Sequence, residues 1–227
     1  MRGFTIFLFT LLVSLQAQAA SHASCERVLK KLDRYRNANK ILECADFYFM
    51  NPDFDEGYVD FLKVERLYRR YIKLRPKDWQ GWDILAWLIY SRWSHSIWEP
   101  EKYPTEREND KKVVAIYRDA FKKLPRSALL HKGAGDQFRN MSRYKNEYYK
   151  DAINHYKKGL IYADSDPMKV RLGLNIGHLF RLNQLPEQAK IYYRGVLKVQ
   201  PTNKVALKFL KKLEDSEPIS LFVNERF

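Results

Sequence analysis

The sequence predicts an all-α protein built from a repeated helical unit. One pattern recurs in four segments, Val64–Pro76, Val113–Pro125, Ala152–Asp164 and Ala189–Pro201. In each, a small or β-branched residue is followed four later by Tyr. A further residue, usually small, comes three after that. Pro, or Asp in one copy, ends the stretch. Spacings of four and three place these residues on one helical face. The closing proline stops the helix, because it has no N–H for the preceding turn. Composition agrees: 227 residues, 45% hydrophobic, with only 9 Gly and 9 Pro, exclude a collagen-like or disordered chain. The length suits one domain, or at most two small ones.

The amino terminus reads as an address. Arg2 precedes an apolar run from Phe4 to Leu15, broken only by Thr5, Thr10 and Ser14, and Ala17-Gln18-Ala19 then offers small residues to a signal peptidase. Residues 1–20 are thus expected to be a secretory signal peptide. The run is about 12 residues against the roughly 20 that span a bilayer. No transmembrane segment is expected after cleavage, and the periplasm or secretion is the expected destination. A lipoprotein reading is disfavoured, because His22 sits badly before Cys25 and Leu15 ends the apolar core well upstream.

Cys25 and Cys44 are the only cysteines. In an oxidising compartment they are expected to form a disulfide that ties an amino-terminal helix, within 21–39, to its neighbour. The alternative is two buried thiols packed as small hydrophobes.

Each repeated segment follows another helix with its own signature. Ile176-Gly177 and Phe180 precede Ala189, Ala134-Gly135 and Phe138 precede Ala152, and Trp82, Leu85-Ala86 and Ile89 precede Val113. Small residues allow two helices of a hairpin to approach closely, and aromatics fill the space beside them. Over residues 40–213 the chain resembles the tetratricopeptide repeat family. At the amino end Lys40 to Met50, with Ala45 and Tyr48, would be the first helix of a unit. The helix-ending positions Pro76, Pro125, Asp164 and Pro201 lie farther apart than the family period of about 34. The units therefore carry insertions, the largest near Ser94 to Asp110. Val205, Phe209 and Leu213 would face inward from a carboxy-terminal capping helix, and 214–227 would be a tail. The resemblance implies a right-handed α-solenoid of tetratricopeptide-like hairpins with a C-terminal capping helix. Tyr68, Tyr117, Tyr156 and Tyr193 are expected in its core.

The resemblance also implies a partner-binding groove lined by the first helix of each unit. On that face lie Gln80, Asp83, Trp87 and Tyr90 in one unit, Lys132, Asp136 and Arg139 in the next, and Arg171, Leu174, His178 and Arg181 in the last. This mixture of aromatic and basic groups suits an acidic peptide. Asp136 stands where the family's carboxylate-clamping domains would have Asn, which speaks against that particular clamp.

No constellation for catalysis is legible. None of the 5 histidines has a second His four residues on, and there is neither a nucleophile elbow nor a phosphate-binding glycine loop. Asn51 to Gly57 looks faintly like a calcium loop, but its glycine is one place late and Leu62 replaces the closing Glu. The expectation is a non-enzymatic protein with no metal and no cofactor. The 41 Lys+Arg against 27 Asp+Glu give a net charge of +14. Export makes nucleic acid an unsuitable partner for this charge. An exported scaffold or adaptor for an acidic protein or peptide is the leading reading. Electrostatic binding to an anionic envelope polymer or membrane surface, as an accessory of envelope assembly, is the alternative.

Overall fold

The computed structural model describes residues 21–50, 61–91, 106–142 and 147–215. The expected signal peptide, the calcium-like loop, most of the 94–110 insertion and the 218–227 tail lie outside them. Among the described residues every regular element is helical. No helix there is long and apolar enough to cross a membrane. The chain divides into two compact units, Met1–Pro125 and Arg126–Phe227.

The first unit holds α1 (21–30), α2 (Ala38–Met50), α3 (Phe61–Leu74), α4 (Trp79–Ser91) and α5 (Glu106–Lys123). A 3₁₀ turn, Leu32–Arg34, leads from α1 toward α2. Cys25 on α1 and Cys44 on α2 form a disulfide pair, with Cα atoms 5.3 Å apart, and both side chains are buried. α2 packs on α3, α3 on α4, and α4 on α5. Val64, Leu67, Tyr68, Tyr71 and Ile72 are all buried on α3, as their spacing requires. Val113, Tyr117 and Ala120 do the same on α5. α5 starts at Glu106, so the insertion is shorter than the sequence suggests. Glu106, Arg107 and Glu108 are good helix formers and extend the helix towards the amino end.

The second unit holds α6 (Ala128–Ser142), α7 (Glu147–Tyr162), α8 (Asp166–Leu182), α9 (Pro186–Val199) and α10 (Lys204–Asp215). Neighbours pack in order: α6 on α7, α7 on α8, α8 on α9, α9 on α10. Here the hairpins close on glycines. A Cβ on Gly135 would stand 2.5 Å from Cδ1 of Tyr156, and one on Gly177 would stand 2.7 Å from Cε1 of Tyr193. The tyrosine rings occupy the space that any larger residue would need. Tyr68, Tyr117, Tyr156 and Tyr193 are all core residues. Each of the large apolar side chains buried with them contributes about 1.5–3 kcal/mol.

The capping helix forms, and Phe209 packs inward on His178 and Tyr193 as expected, but its first turn departs from the expectation. Val205 is 41% exposed, and Ala206 is the buried residue. Asn203 sets this phase by accepting the Ala206 N–H at 3.0 Å, which fixes where the first turn begins. The same device opens other first helices. Asp78 caps α4 through the Gln80 N–H at 3.0 Å, and Ser127 caps α6 through the Leu130 N–H at 3.2 Å. The motif is thus Pro, one residue, then a capping Asp, Ser or Asn (Pro76-Lys77-Asp78, Pro125-Arg126-Ser127, Pro201-Thr202-Asn203). One short turn ends a helix and starts the next.

Candidate functional site

The hairpin tyrosines are amphipathic. Their rings are buried, and each hydroxyl must still find a partner. It finds one on the first helix of its own hairpin. Tyr68 donates to Asp46 at 3.2 Å, Tyr117 to Asp83 at 2.6 Å, and Tyr156 to Asp136 at 2.6 Å. In the last hairpin the Tyr193 hydroxyl meets Nδ1 of His178 at 2.8 Å. Burial, then the neighbouring carboxylate, pushes Tyr68 and Tyr156 well above the ordinary phenol range. Each tyrosine is therefore a neutral donor that latches one helix to the other. Asp83, Asp136 and His178, which the sequence places on the binding face, are thereby engaged within the fold.

In the first unit the remaining face residues are accessible. Gln80 is exposed at the start of α4 and Tyr90 is half-buried. Trp87 is 43% exposed, with its ring 5.6 Å from that of Phe49 on α2 in an edge contact. Trp87 occupies the position after the small residue of its helix, where the other units carry Asp46, Asp136 and His178. The Tyr117 hydroxyl consequently reaches Asp83, one turn earlier.

In the second unit the expected face residues fall into three groups. Lys132 and Asp136 form an ion pair one helical turn apart. Asp136 also accepts from Tyr156 and from Nδ2 of Asn175 at 3.4 Å, which links α6 to α8. Arg171 and Leu174 line a shallow cleft of about 490 Å³ beside Asp166, Val170 and Val199. Arg139, His178 and Arg181 line a different cleft of about 540 Å³, together with Tyr149 and Phe209. Burial lowers the His178 pKa, and the charges of Arg181 and then Arg139 lower it further. The ring therefore takes up a proton less readily than a free imidazole.

Asn175, Tyr149 and Phe209 are absent from the sequence-derived set. Asn175 was findable, since it lies four after Arg171 and three before His178 on the same stripe. Tyr149 and Phe209 come from other helices, and only packing brings them to the cleft.

Two histidines, His131 buried and His155 half-buried, form a separate cluster in the second unit. Nδ1 of His131 lies 3.1 Å from Nδ1 of His155, whose ring stacks on Phe138 at 5.2 Å between centroids. Burial, then the His131 and Lys158 charges, lowers the His155 pKa to about 4. Among the described residues no three His, Cys, Asp or Glu side chains gather to hold a metal.

No family model matches the chain, and no curated protein matches it. Solved structures do. YrrB, described as a TPR protein with an unusual peptide-binding site, is 14% identical over 89% of this chain and 88% of its own, with a TM-score of 0.53. TTC0263, a thermophilic TPR protein of Thermus thermophilus, is 15% identical over 91% and 96%, with a TM-score of 0.50. A MamA protein is 14% identical over 96% and 99%, also with a TM-score of 0.50. The chain therefore has a tetratricopeptide-like, all-helical fold. At these identities the likeness concerns the fold, and function has to be argued from the side chains.

Proposed function

We propose that this protein is an exported scaffold that binds a protein or peptide partner on the faces of its first helices. The observation that carries the reading is the division of labour on those faces. Asp83, Asp136 and His178 hold the hairpins together, while Trp87, Arg139, Arg171 and Arg181 stand beside them with surface to offer. A rigid base with protruding aromatic and cationic groups is what peptide recognition uses. The structurally similar YrrB is itself described as having a peptide-binding site. The excess of basic residues favours an acidic partner. The amino-terminal address supports an encounter in the periplasm or cell envelope.

The test is affinity capture from envelope extract with the full chain, alongside Trp87→Ala and Arg171→Ala variants of unchanged helicity. Selective loss of specific proteins from the variants is expected. Identical recovery by all three overturns the assignment of these faces. Export is tested by cell fractionation and amino-terminal sequencing. The expected product lacks residues 1–20, and an uncleaved cytosolic chain refutes it.

A further inference from the structure

Two arginines of the second unit share one cleft without an acid to neutralise them. Arg139, near the end of α6, and Arg181, near the end of α8, both line the cleft of about 540 Å³. Among the described residues neither makes an ion pair, although eight other basic side chains do. The Nε atoms of both are buried and lack a hydrogen-bond partner. The polar groups beside them are spent elsewhere. Ser142 donates to the Arg139 carbonyl at 2.8 Å, and Asn183 donates to the Leu179 carbonyl at 2.8 Å. Asp136, the carboxylate nearest in sequence, is occupied by Lys132 and Tyr156.

Converging like charges is unfavourable, and a buried N–H with no acceptor adds to the cost. An anion held by the outer N–H groups of the two guanidinium ions offsets the repulsion between them. The walls narrow its chemistry. The Arg181 guanidinium carbon sits 4.8 Å above the Phe209 ring, and that ring lies 4.8 Å from His178 and 5.8 Å from Tyr193. The Phe209 contact and a hydrogen bond with Tyr193 hold the Arg181 head group, and a guanidinium's planar N–H edge is the geometry that fits a carboxylate. Leu182, 63% exposed, and Phe209 supply an apolar margin at the rim.

We propose that this cleft is a carboxylate subsite for an acidic peptide. It takes a Glu or Asp side chain between Arg139 and Arg181, with the next apolar side chain lying on Phe209 and Leu182. The assignment rests on the scaffold reading and specifies one subsite within it. His178, tied to Tyr193, lines the same cleft.

The experiment uses the full chain and three labelled nine-residue peptides of Gly and Ser with a central Glu-Leu, Gln-Leu or Glu-Ser pair, read by fluorescence anisotropy. Glu-Leu is expected to bind best, with Gln-Leu weaker by about tenfold or more, since a charge-assisted bond is lost. Glu-Ser is expected to fall between them. Arg139→Gln and Arg181→Gln should each weaken Glu-Leu by about tenfold and leave Gln-Leu unchanged. Arg181→Lys should recover only part, because it keeps the charge and loses the fork. Equal binding of Glu-Leu and Gln-Leu by the unaltered protein overturns the subsite and needs no variant. Tighter binding of polyphosphate than of any peptide also overturns it. Should the subsite fail while Trp87-dependent partner capture persists, the scaffold reading stands. Should capture fail while the Glu preference holds, the scaffold reading falls and the subsite stands.

Discussion

Acidification offers a sharp test of the second unit, through His155. Its half-buried ring packs against Phe138 and His131, and its pKa is held at about 4 against an ordinary 6.5. Above pH 6.5 the ring is neutral in the folded and the unfolded chain, and it contributes no pH dependence. Below that, the unfolded chain takes up a proton that the folded one refuses, so stability falls as pH drops, and the slope ends near pH 4. At about 1.4 kcal/mol per pH unit, the gap amounts to a limiting loss of roughly 3 kcal/mol, of which roughly 2 kcal/mol is realised at about pH 5. His178 is shifted in the same direction and adds to the fall. The assay is urea unfolding of the full chain between about pH 8 and pH 4. All tryptophans, Trp79, Trp82, Trp87, Trp93 and Trp98, precede Pro125, so their fluorescence follows the first unit while far-ultraviolet circular dichroism follows both. The loss belongs in the dichroism signal. His155→Phe keeps a ring against Phe138 and removes the titrating group, so most of the slope should vanish with it. A wild-type stability that is flat from about pH 8 to about pH 4.5 refutes the reasoning. So does an identical loss in wild type and His155→Phe.

Three further outcomes are expected. Gly135→Ala and Gly177→Ala each drive a methyl into a tyrosine ring and should cost about 1–3 kcal/mol, seen as a lower thermal midpoint with the helical signal intact. Tyr117→Phe leaves Asp83 without its 2.6 Å donor and should cost about 1 kcal/mol in urea unfolding. Reduction of the Cys25–Cys44 pair, or Cys25→Ala with Cys44→Ala, should cost about 3 kcal/mol for the short loop it closes; an oxidised, unfolded sample should show no free thiol to a colorimetric reagent.

Much of the fold was legible because its signal is periodic. The Tyr recurrence and the small residues before it report two helices in contact, and packing then follows from size alone. Capping was less legible. Pro76, Pro125 and Pro201 were readable as stops, yet Asp78, Ser127 and Asn203 two residues later start the next helices. The burial of Ala206 in place of Val205 on α10 follows from that missed start. The candidate site was legible as a stripe and not as a set of roles. A spacing rule puts Lys132, Asp136 and Arg139 on one face, but it cannot say that the first two satisfy each other while the third lines a cleft. Nor can it bring in Tyr149 or Phe209, which belong to other helices.

The tyrosine latches bear on how such a protein could be re-targeted. Because the hydroxyls of Tyr117, Tyr156 and Tyr193 reach through the hairpin to Asp83, Asp136 and His178, part of the recognition surface is also the fastening of the scaffold. A randomised library spread evenly over that surface would lose many of its members to chains that no longer hold together. Diversity confined to Gln80, Trp87, Arg139, Arg171 and Arg181 leaves the tyrosine latches in place. New specificities should therefore emerge from that subset, with stabilities close to the parent.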